Sequence, residues 1–271
     1  MTSQEIFKQI IQKQSYLCVG LDTDIQKIPS HLKSAKDPIF EFNKQIIDAT
    51  AEFCVAYKLN TAFYEAVGPR GWESLQKTLA YIPKEFFRIA DAKRGDIGNT
   101  SGLYARAFFE QMQADALTVA PYMGEDSVKP FLSFEDKWVI LLALTSNPGS
   151  QDFQTKSLIT EKLLFEQVIT TSATWAGADK LMYVVGATQA EQFSKIRQLV
   201  PDHFLLVPGV GAQGGDLQLL SQYGMNKQCG LLVNASRAII YASSDKDFAR
   251  QAAKEAQQIQ QEMTIYLQKY L

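Results

Sequence analysis

The sequence predicts a single (β/α)8 TIM barrel with a short N-terminal helix, formed by residues 1–271 as one domain. Two observations predict it. Eight short apolar runs alternate with longer amphipathic stretches, and the 271 residues are close to the ~250 that such a barrel needs. Runs that are apolar along most of their length suit strands covered on both faces. An open doubly wound sheet is the alternative architecture, because strand count alone does not prove closure.

The elements follow one another without a break in composition. The strand-like runs begin at Tyr16, Cys54, Phe86, Asp115, Trp138, Leu181, Phe204 and Gly230. Between them apolar residues recur at helical spacing, and the stripe in residues 245–271 predicts a helix of the outer ring. The polar segment SNPGSQDFQTKS after the fifth run is either a mobile lid or an inert surface loop.

Composition excludes several classes of partner. A net charge of −2 gives no electrostatic case for nucleic acid or an anionic membrane. The N-terminus lacks the apolar core of a signal peptide, and no apolar stretch approaches ~18 residues. The three cysteines, Cys18, Cys54 and Cys229, have no CxxC spacing and are expected to be buried and reduced. We therefore expect a cytoplasmic protein.

Charged residues gather where the first three runs end. Asp91 and Lys93 share one face of the third strand because side chains alternate along a strand. By the same alternation, Asp22 continues one face of the first strand and Lys58 lies on one face of the second. If these faces point inward, the four side chains converge at the mouth of the barrel, where enzymes of this fold keep their active sites. A purely structural ion-pair network is the alternative.

Three further residues extend this cluster in different directions. Arg94 faces away from Asp91, and we interpret it as a solvent or helix-layer contact. Asp96 and Thr100 follow in the next turn. Charged and polar groups in that number exceed what packing requires, which favours a functional site.

A glycine-rich motif follows the seventh strand. Gly209, Gly211 and Gly214 form a GxGxxG, but a dinucleotide site also needs an acid ~20 residues further on, where this chain has Asn234. A phosphate cradle is the better interpretation, since glycines let backbone N–H groups approach an anion. Gln213 and Arg237 are the candidate side-chain donors.

At these residues the chain resembles the orotidine 5′-phosphate decarboxylase family. The matching features are LCVGLD ending at Asp22, Lys58, DAKRGDIGNT from Asp91, PGVGAQGGD from Pro208, and Arg237. A DxKxxD alone is shared with other barrel decarboxylases, whereas the two long motifs in this order are strongly specific. The resemblance covers nearly the whole chain and is to the longer bacterial branch of the family.

The resemblance implies decarboxylation of orotidine 5′-phosphate to UMP and CO2, the last step of de novo pyrimidine biosynthesis, without a cofactor or metal. It implies a charged tetrad of catalytic residues: Lys58, Asp91, Lys93 and Asp96. The implied substrate contacts are Asp22, Thr100, Ser146, Pro208, Gln213 and Arg237. In the family, Asp96 and Thr100 reach into the neighbouring subunit's site, which implies a homodimer.

The sequence departs from the compact members of the family at two places. The segment NASR stands where those members have a plain glycine–arginine, and the loop that holds Ser146 does not align clearly with theirs. These departures concern the backbone contacts to phosphate and the contact to the pyrimidine.

Chemistry assigns the central role to Lys93. Loss of CO2 from C6 leaves a carbanion in the plane of the pyrimidine ring, which the ring carbonyls cannot delocalise. Preorganised charge must stabilise it, and the ammonium of Lys93 can do so and then donate the proton.

Three other functions are consistent with such a barrel. A Mg²⁺-dependent sugar-phosphate decarboxylase or aldolase would have a metal-binding acid where this chain has Lys58. A Schiff-base aldolase built on Lys93 is disfavoured by the flanking acids, which keep that lysine charged. A non-catalytic nucleotide sensor would gain little from so costly a cluster of charges.

Overall fold

Eight parallel strands close into a barrel in the computed structural model, which describes residues 1–187, 190–209 and 216–271. The strands are β1 (Leu17–Gly20), β2 (Ala56–Asn60), β3 (Phe87–Arg94), β4 (Ala116–Val119), β5 (Trp138–Leu144), β6 (Leu181–Val185), β7 (Leu205–Pro208) and β8 (Leu231–Ala235). Each strand pairs with the next, and β8 pairs with β1, where Asn234 lies beside Cys18. The sheet thus closes on itself, which confirms the predicted barrel and excludes the open sheet.

Helices connect successive strands and surround the barrel. Over the described ranges they are α1 (Ser3–Lys13), α2 (Pro38–Thr50), α3 (Thr61–Glu65), α4 (Pro69–Tyr81), α5 (Gly98–Arg106), α6 (Glu125–Leu132), α7 (Ser150–Phe153), α8 (Leu164–Ser172), α9 (Ala190–Leu199), α10 (Leu217–Gly224), α11 (Arg237–Ile240) and α12 (Phe248–Tyr270). A short 3-10 helix (Ser30–Leu32) precedes α2, and a π-helical turn (Ala107–Gln111) continues α5.

The predicted N-terminal helix is present as α1. Thr2 and Glu5 exchange side-chain and backbone hydrogen bonds in a capping box that starts the helix. Its apolar face buries Ile6 and Ile10. The indole of Trp138, the first residue of β5, donates to the carbonyl of Met1 at 2.7 Å. Helix α1 therefore packs at the amino-terminal end of the barrel and leaves the opposite mouth free.

The last helix confirms the predicted outer-ring element. Helix α12 packs against α2, α10 and α11 and buries Phe248, Ala252, Met263 and Leu267. No helix among the residues described here is both long and apolar enough to cross a membrane.

The three cysteines are buried and free, as predicted. Burial raises the pKa of Cys54 to about 11 and that of Cys229 to about 12, and it also raises the pKa of Cys18. The thiols therefore stay protonated near neutral pH and pack as small apolar groups.

Candidate active site

A cavity of about 340 Å³ opens at the carboxyl ends of the strands. Its wall is charged and polar where β1, β2, β3 and β8 end. Strands β5, β6 and β7 contribute the apolar side chains of Leu142, Val184 and Leu206, and the loop after β5 adds polar residues. The cavity lies where the barrel fold places active sites.

Alternating charges meet in this cavity. Lys58 Nζ lies 3.0 Å from Asp91 Oδ2, and Lys93 Nζ lies 2.6 Å from Asp91 Oδ1. Asp22 Oδ1 lies 3.4 Å from Lys58 Nζ. The four side chains that the strand pattern placed at the barrel mouth therefore do converge there.

Burial and charge act against each other in this cluster. Burial alone lowers the pKa of Lys58, but the carboxylates of Asp22 and Asp91 outweigh it and raise that pKa above its usual value. Burial alone raises the pKa of Asp91, but Lys58 and Lys93 hold it well below its usual range. Lys58 and Asp91 are therefore both ionised near neutral pH. The side chain of Lys58 is 4% exposed and that of Lys93 is 48% exposed, so solvent reaches Lys93.

Lys93 reaches the cavity through an irregular strand end. Its φ is +48°, a left-handed conformation that residues other than glycine rarely adopt, and the pairing of β3 with β4 shifts register between Ala90 and Arg94. Thr118 of β4 stabilises this shape: its Oγ1 accepts the backbone N–H of Lys93 at 2.9 Å and donates to Asp91 Oδ1 at 2.9 Å. Asp91 and Lys93 do both face the cavity, as predicted. The prediction assumed a regular strand, however, and the strand is not regular at Lys93.

Arg94 faces the helix layer, as predicted. It pairs with Glu65, and its guanidinium carbon lies 5.5 Å from the ring centroids of Tyr104 and Phe108. Arg94 therefore fastens the end of β3 to the surrounding helices and takes no part in the cavity.

A buried hydrogen-bond network fixes the residues on both sides of Asp22. On one side, the hydroxyl of Tyr64 donates to the carbonyl of Leu21 at 2.9 Å. On the other, the hydroxyl of Thr23 donates to Asn43 Oδ1 at 2.5 Å. Asn43 Nδ2 in turn donates to the hydroxyl of Tyr64 at 2.9 Å, which joins the two anchors. Helices α2 and α3, which carry Asn43 and Tyr64, thereby position the carboxylate of Asp22.

Asp96 and Thr100 are not among the residues that line the cavity of this chain. Asp96 Oδ1 accepts the backbone N–H of Ile97 at 2.8 Å, and Thr100 is exposed in the first turn of α5. The structure thus brings three members of the expected tetrad together and leaves Asp96 outside. The contribution of Asp96 and Thr100 to a neighbouring subunit's site stays a prediction.

The expected phosphate end lies opposite the ion pairs, because β7 is four strands away from β3 in an eight-stranded barrel. Pro208 and Gly209 line the cavity at the end of β7, and Gly209 has a φ of +97° that favours glycine. Arg237 lines it from the start of α11. Gln213 and the rest of the glycine-rich motif lie outside the described residues, so the expected phosphate cradle stays a prediction.

Ser146 lines the cavity from the loop after β5. A Cβ on Gly186 would lie 2.7 Å from Ser146 N and 2.8 Å from Ser146 Cβ, so only glycine permits this close approach. The side chain of Gln154 accepts the backbone N–H of Thr145 at 2.7 Å and donates to Thr145 Oγ1 at 2.9 Å. These contacts hold Ser146 beside the apolar wall. Movement of this loop as a lid stays a prediction.

Six polar residues of the site were not predicted from the sequence. Thr118 supports the ion pairs, and five others line the cavity: Asn60, Thr145, Asn147, Asn234 and Ser236. Asn60 shares a strand face with Lys58, and Thr118 is a polar residue within an apolar run, so both had a usable signal. The other four are sequence neighbours of Ser146 or Arg237, which was the only signal they carried.

The part of the chain that the structure describes contains no group of three or more His, Cys, Asp or Glu side chains placed to hold a metal ion. The expected independence from metals and cofactors stays a prediction.

Comparison with known proteins identifies the family. The model of the orotidine 5′-phosphate decarboxylase / HUMPS family matches residues 15–252. The chain belongs to this family.

Relatives are similar to the chain over nearly its full length. The orotidine 5′-phosphate decarboxylase of Phocaeicola vulgatus is 60% identical over 266 residues, which cover 97% of this chain and 98% of the relative. That of Flavobacterium johnsoniae is 61% identical over 266 residues, 97% of each chain. The structure of Leishmania donovani OMP decarboxylase has a TM-score of 0.80 and 32% identity, and covers 96% of this chain and 99% of that one. The resemblance and the predicted enzyme class, a carboxy-lyase, are confirmed.

Proposed function

We propose that the chain converts orotidine 5′-phosphate to UMP and CO2, as the last step of de novo pyrimidine biosynthesis. The observation that carries the proposal is the Lys58–Asp91–Lys93 chain of ion pairs at one side of a cavity whose other side holds Arg237. Family membership and the names of the relatives support it.

The cavity suggests how the nucleotide lies. Arg237 and Gln213 bind the phosphate, with Pro208 beside them. Asp22 and Lys58 bind ribose hydroxyls at the polar wall. The pyrimidine packs on the apolar wall of Leu142, Val184 and Leu206, and Ser146 contacts its edge. This orientation directs C6 and its carboxylate towards Lys93.

In the reaction, the bond between C6 and the carboxyl carbon breaks, and its electron pair stays on C6. The ammonium of Lys93 stabilises this carbanion and then gives C6 a proton, which completes UMP as CO2 leaves. Asp91 keeps Lys93 in place through the 2.6 Å contact. Lys93 is 48% exposed, so it regains its proton from water after product release. None of these reaction steps uses a cofactor or a metal ion.

We also propose that the enzyme is a homodimer in which Asp96 and Thr100 complete the partner's site. Apolar side chains are exposed around these two residues and after β4, at Ile97, Leu103, Tyr122 and Met123. Exposed apolar groups in such a cluster are typical of a protein interface. Sedimentation of the wild-type chain tests this, and a monomer at working concentration would contradict it.

We propose that residues 1–271 form one catalytic domain that works in the cytoplasm. Eight strands in one closed sheet support the first part. Three buried free thiols support a reducing compartment.

Two variants test the mechanism by following the ultraviolet absorbance of orotidine 5′-phosphate. Lys93→Ala is expected to abolish turnover while UMP still binds, because it removes the proton donor. Arg237→Ala is expected to raise KM far more than it lowers kcat, because it removes a contact to the phosphate. A Lys93→Ala enzyme with near wild-type kcat would refute the role of Lys93.

The same assay tests independence from metals. Activity of the wild-type chain is expected to persist after dialysis against EDTA. Loss of activity that Mg²⁺ restores would favour the metal-dependent sugar-phosphate chemistry of the same superfamily. UMP binding without any loss of orotidylate absorbance would instead favour a nucleotide sensor.

A further inference from the structure

Two oxygen atoms in the cavity wall are buried and make no hydrogen bond to any residue that the structure describes. They are Oδ1 of Asn234 and Oγ of Ser236, which stand at the end of β8 directly before Arg237. Asn234 is 7% exposed. Native proteins rarely leave buried polar atoms without a partner, so these two atoms indicate a bound group that supplies one.

The neighbouring strand leaves room for both side chains. A Cβ on Gly20 of β1 would lie 3.0 Å from Asn234 Oδ1, 3.1 Å from Ser236 Oγ and 2.7 Å from Ser236 Cβ. The absence of a side chain at Gly20 is therefore what lets Asn234 and Ser236 occupy this part of the wall.

Their place in the barrel indicates which part of a nucleotide they face. In the sheet, Asn234 pairs with Pro208 of β7 on one side and with Cys18 of β1 on the other. It thus lies between the strand that ends at Pro208 and Gly209 and the strand that leads to Asp22. Ser236 is the residue next to Arg237 and stands nearer the phosphate end.

We propose that Ser236 and Asn234 are further substrate-binding residues, with Ser236 donating a hydrogen bond to a phosphate oxygen and Asn234 bonding to the ribose. The inference rests on the proposed function, because a 5′-nucleotide must span this wall to place its base near Lys93. It also gives a chemical reason for a serine and an asparagine in the segment NASR.

Removal of the phosphate from the ligand separates the two roles. Dissociation constants for UMP and for uridine are measured by NMR titration, which reads weak binding, for the wild type, Ser236→Ala and Asn234→Ala. Ser236→Ala is expected to weaken UMP binding about ten- to a hundredfold, as for loss of a hydrogen bond to a charged group, and to leave uridine binding unchanged. Asn234→Ala is expected to weaken both ligands by the same factor.

Controls keep the outcome interpretable. Ser133→Ala changes an exposed serine at the end of α6 and is expected to alter neither constant. If Asn234→Ala does not fold, Asn234→Ser replaces it, and Ser236→Gly does the same for Ser236. Equal weakening of UMP and uridine by Ser236→Ala, or unchanged UMP binding, overturns the role of Ser236. Unchanged binding of both ligands in the Asn234 variant overturns the role of Asn234.

Wild-type turnover of orotidine 5′-phosphate in the same samples separates this inference from the proposed function. If the wild type turns over orotidine 5′-phosphate but the variants bind both ligands as the wild type does, only the inference is overturned. If the wild type shows no turnover and does not bind UMP, both the inference and the proposed function are overturned.

Discussion

Replacement of Asp91 by Asn removes a carboxylate that contacts Lys58 at 3.0 Å and Lys93 at 2.6 Å. The side chain keeps its shape and loses its charge, so the variant tests electrostatics rather than packing. Removal of one partner from a buried ion pair costs about 3–5 kcal/mol, because the other charge is left buried without compensation.

The exposure of the two lysines decides where in this range the effect falls. Lys58 is 4% exposed and bears most of the loss, whereas Lys93 is 48% exposed and contributes little, since exposed pairs are worth about 0–1 kcal/mol. In the variant, the carboxylate of Asp22, 3.4 Å from Lys58, still compensates part of the charge of Lys58. We therefore expect a loss of about 3 kcal/mol in the free energy of unfolding, or about 6–12 °C in Tm.

The effect has a defined dependence on pH. The pKa of Asp91 is lower in the folded chain, so its charge contributes stability above the ordinary carboxyl value of about 3.9 and this is lost as pH falls below it. The pKa of Lys58 is raised, so its contribution is present below the ordinary lysine value of about 10.4 and is lost as pH rises above it. The difference between wild type and variant should be constant from about pH 5 to 9 and shrink below about pH 4.

Urea unfolding followed by circular dichroism at several pH values measures this difference. Glu125→Gln is the matched control, because it removes one charge from an exposed pair with Lys129 and should change stability by less than about 1 kcal/mol. An Asp91→Asn variant as stable as the wild type at pH 7 would refute the electrostatic argument. A difference in the free energy of unfolding that stays the same below about pH 4 would also refute it.

Two further variants test how the site is positioned. Gly186→Ala places a methyl group 2.7 Å from Ser146 N, so it should displace the loop after β5 and weaken UMP binding in calorimetry; unchanged affinity would contradict the close approach. Tyr64→Phe removes the hydroxyl that joins Leu21 to Asn43, so it should lower the free energy of unfolding by about 1–3 kcal/mol and raise KM through Asp22. Tyr266→Phe is its control, because it removes a hydroxyl of α12 that donates only an exposed hydrogen bond to Glu262, and equal effects of the two substitutions would contradict the role of the network.

Strand order and most of the charged cluster could be predicted because both depend on local pattern. The predicted runs begin within two residues of the strands, as Cys54 does for β2 and Phe204 for β7, since strands buried on both faces are apolar throughout. Lys58 and Asp91 could be placed together because both lie near the ends of neighbouring parallel strands, although the register pairs Asp91 with Asn60, two residues beyond Lys58.

The remaining features depend on contacts between segments far apart in the chain. The left-handed backbone at Lys93 requires Thr118, 25 residues away, to accept its N–H, and nothing in the third run indicates this. The polar pair Asn234 and Ser236 enters the site only because Gly20 of another strand has no side chain.

By itself, then, the sequence determined the eight strands, their order, the family and the chemical groups available for catalysis, because burial and alternation leave marks in the local pattern. Only the tertiary structure decided that the sheet closes and that Lys93 turns inward where the register between β3 and β4 shifts. These outcomes depend on hydrogen bonds and steric limits between distant residues, which local pattern does not record.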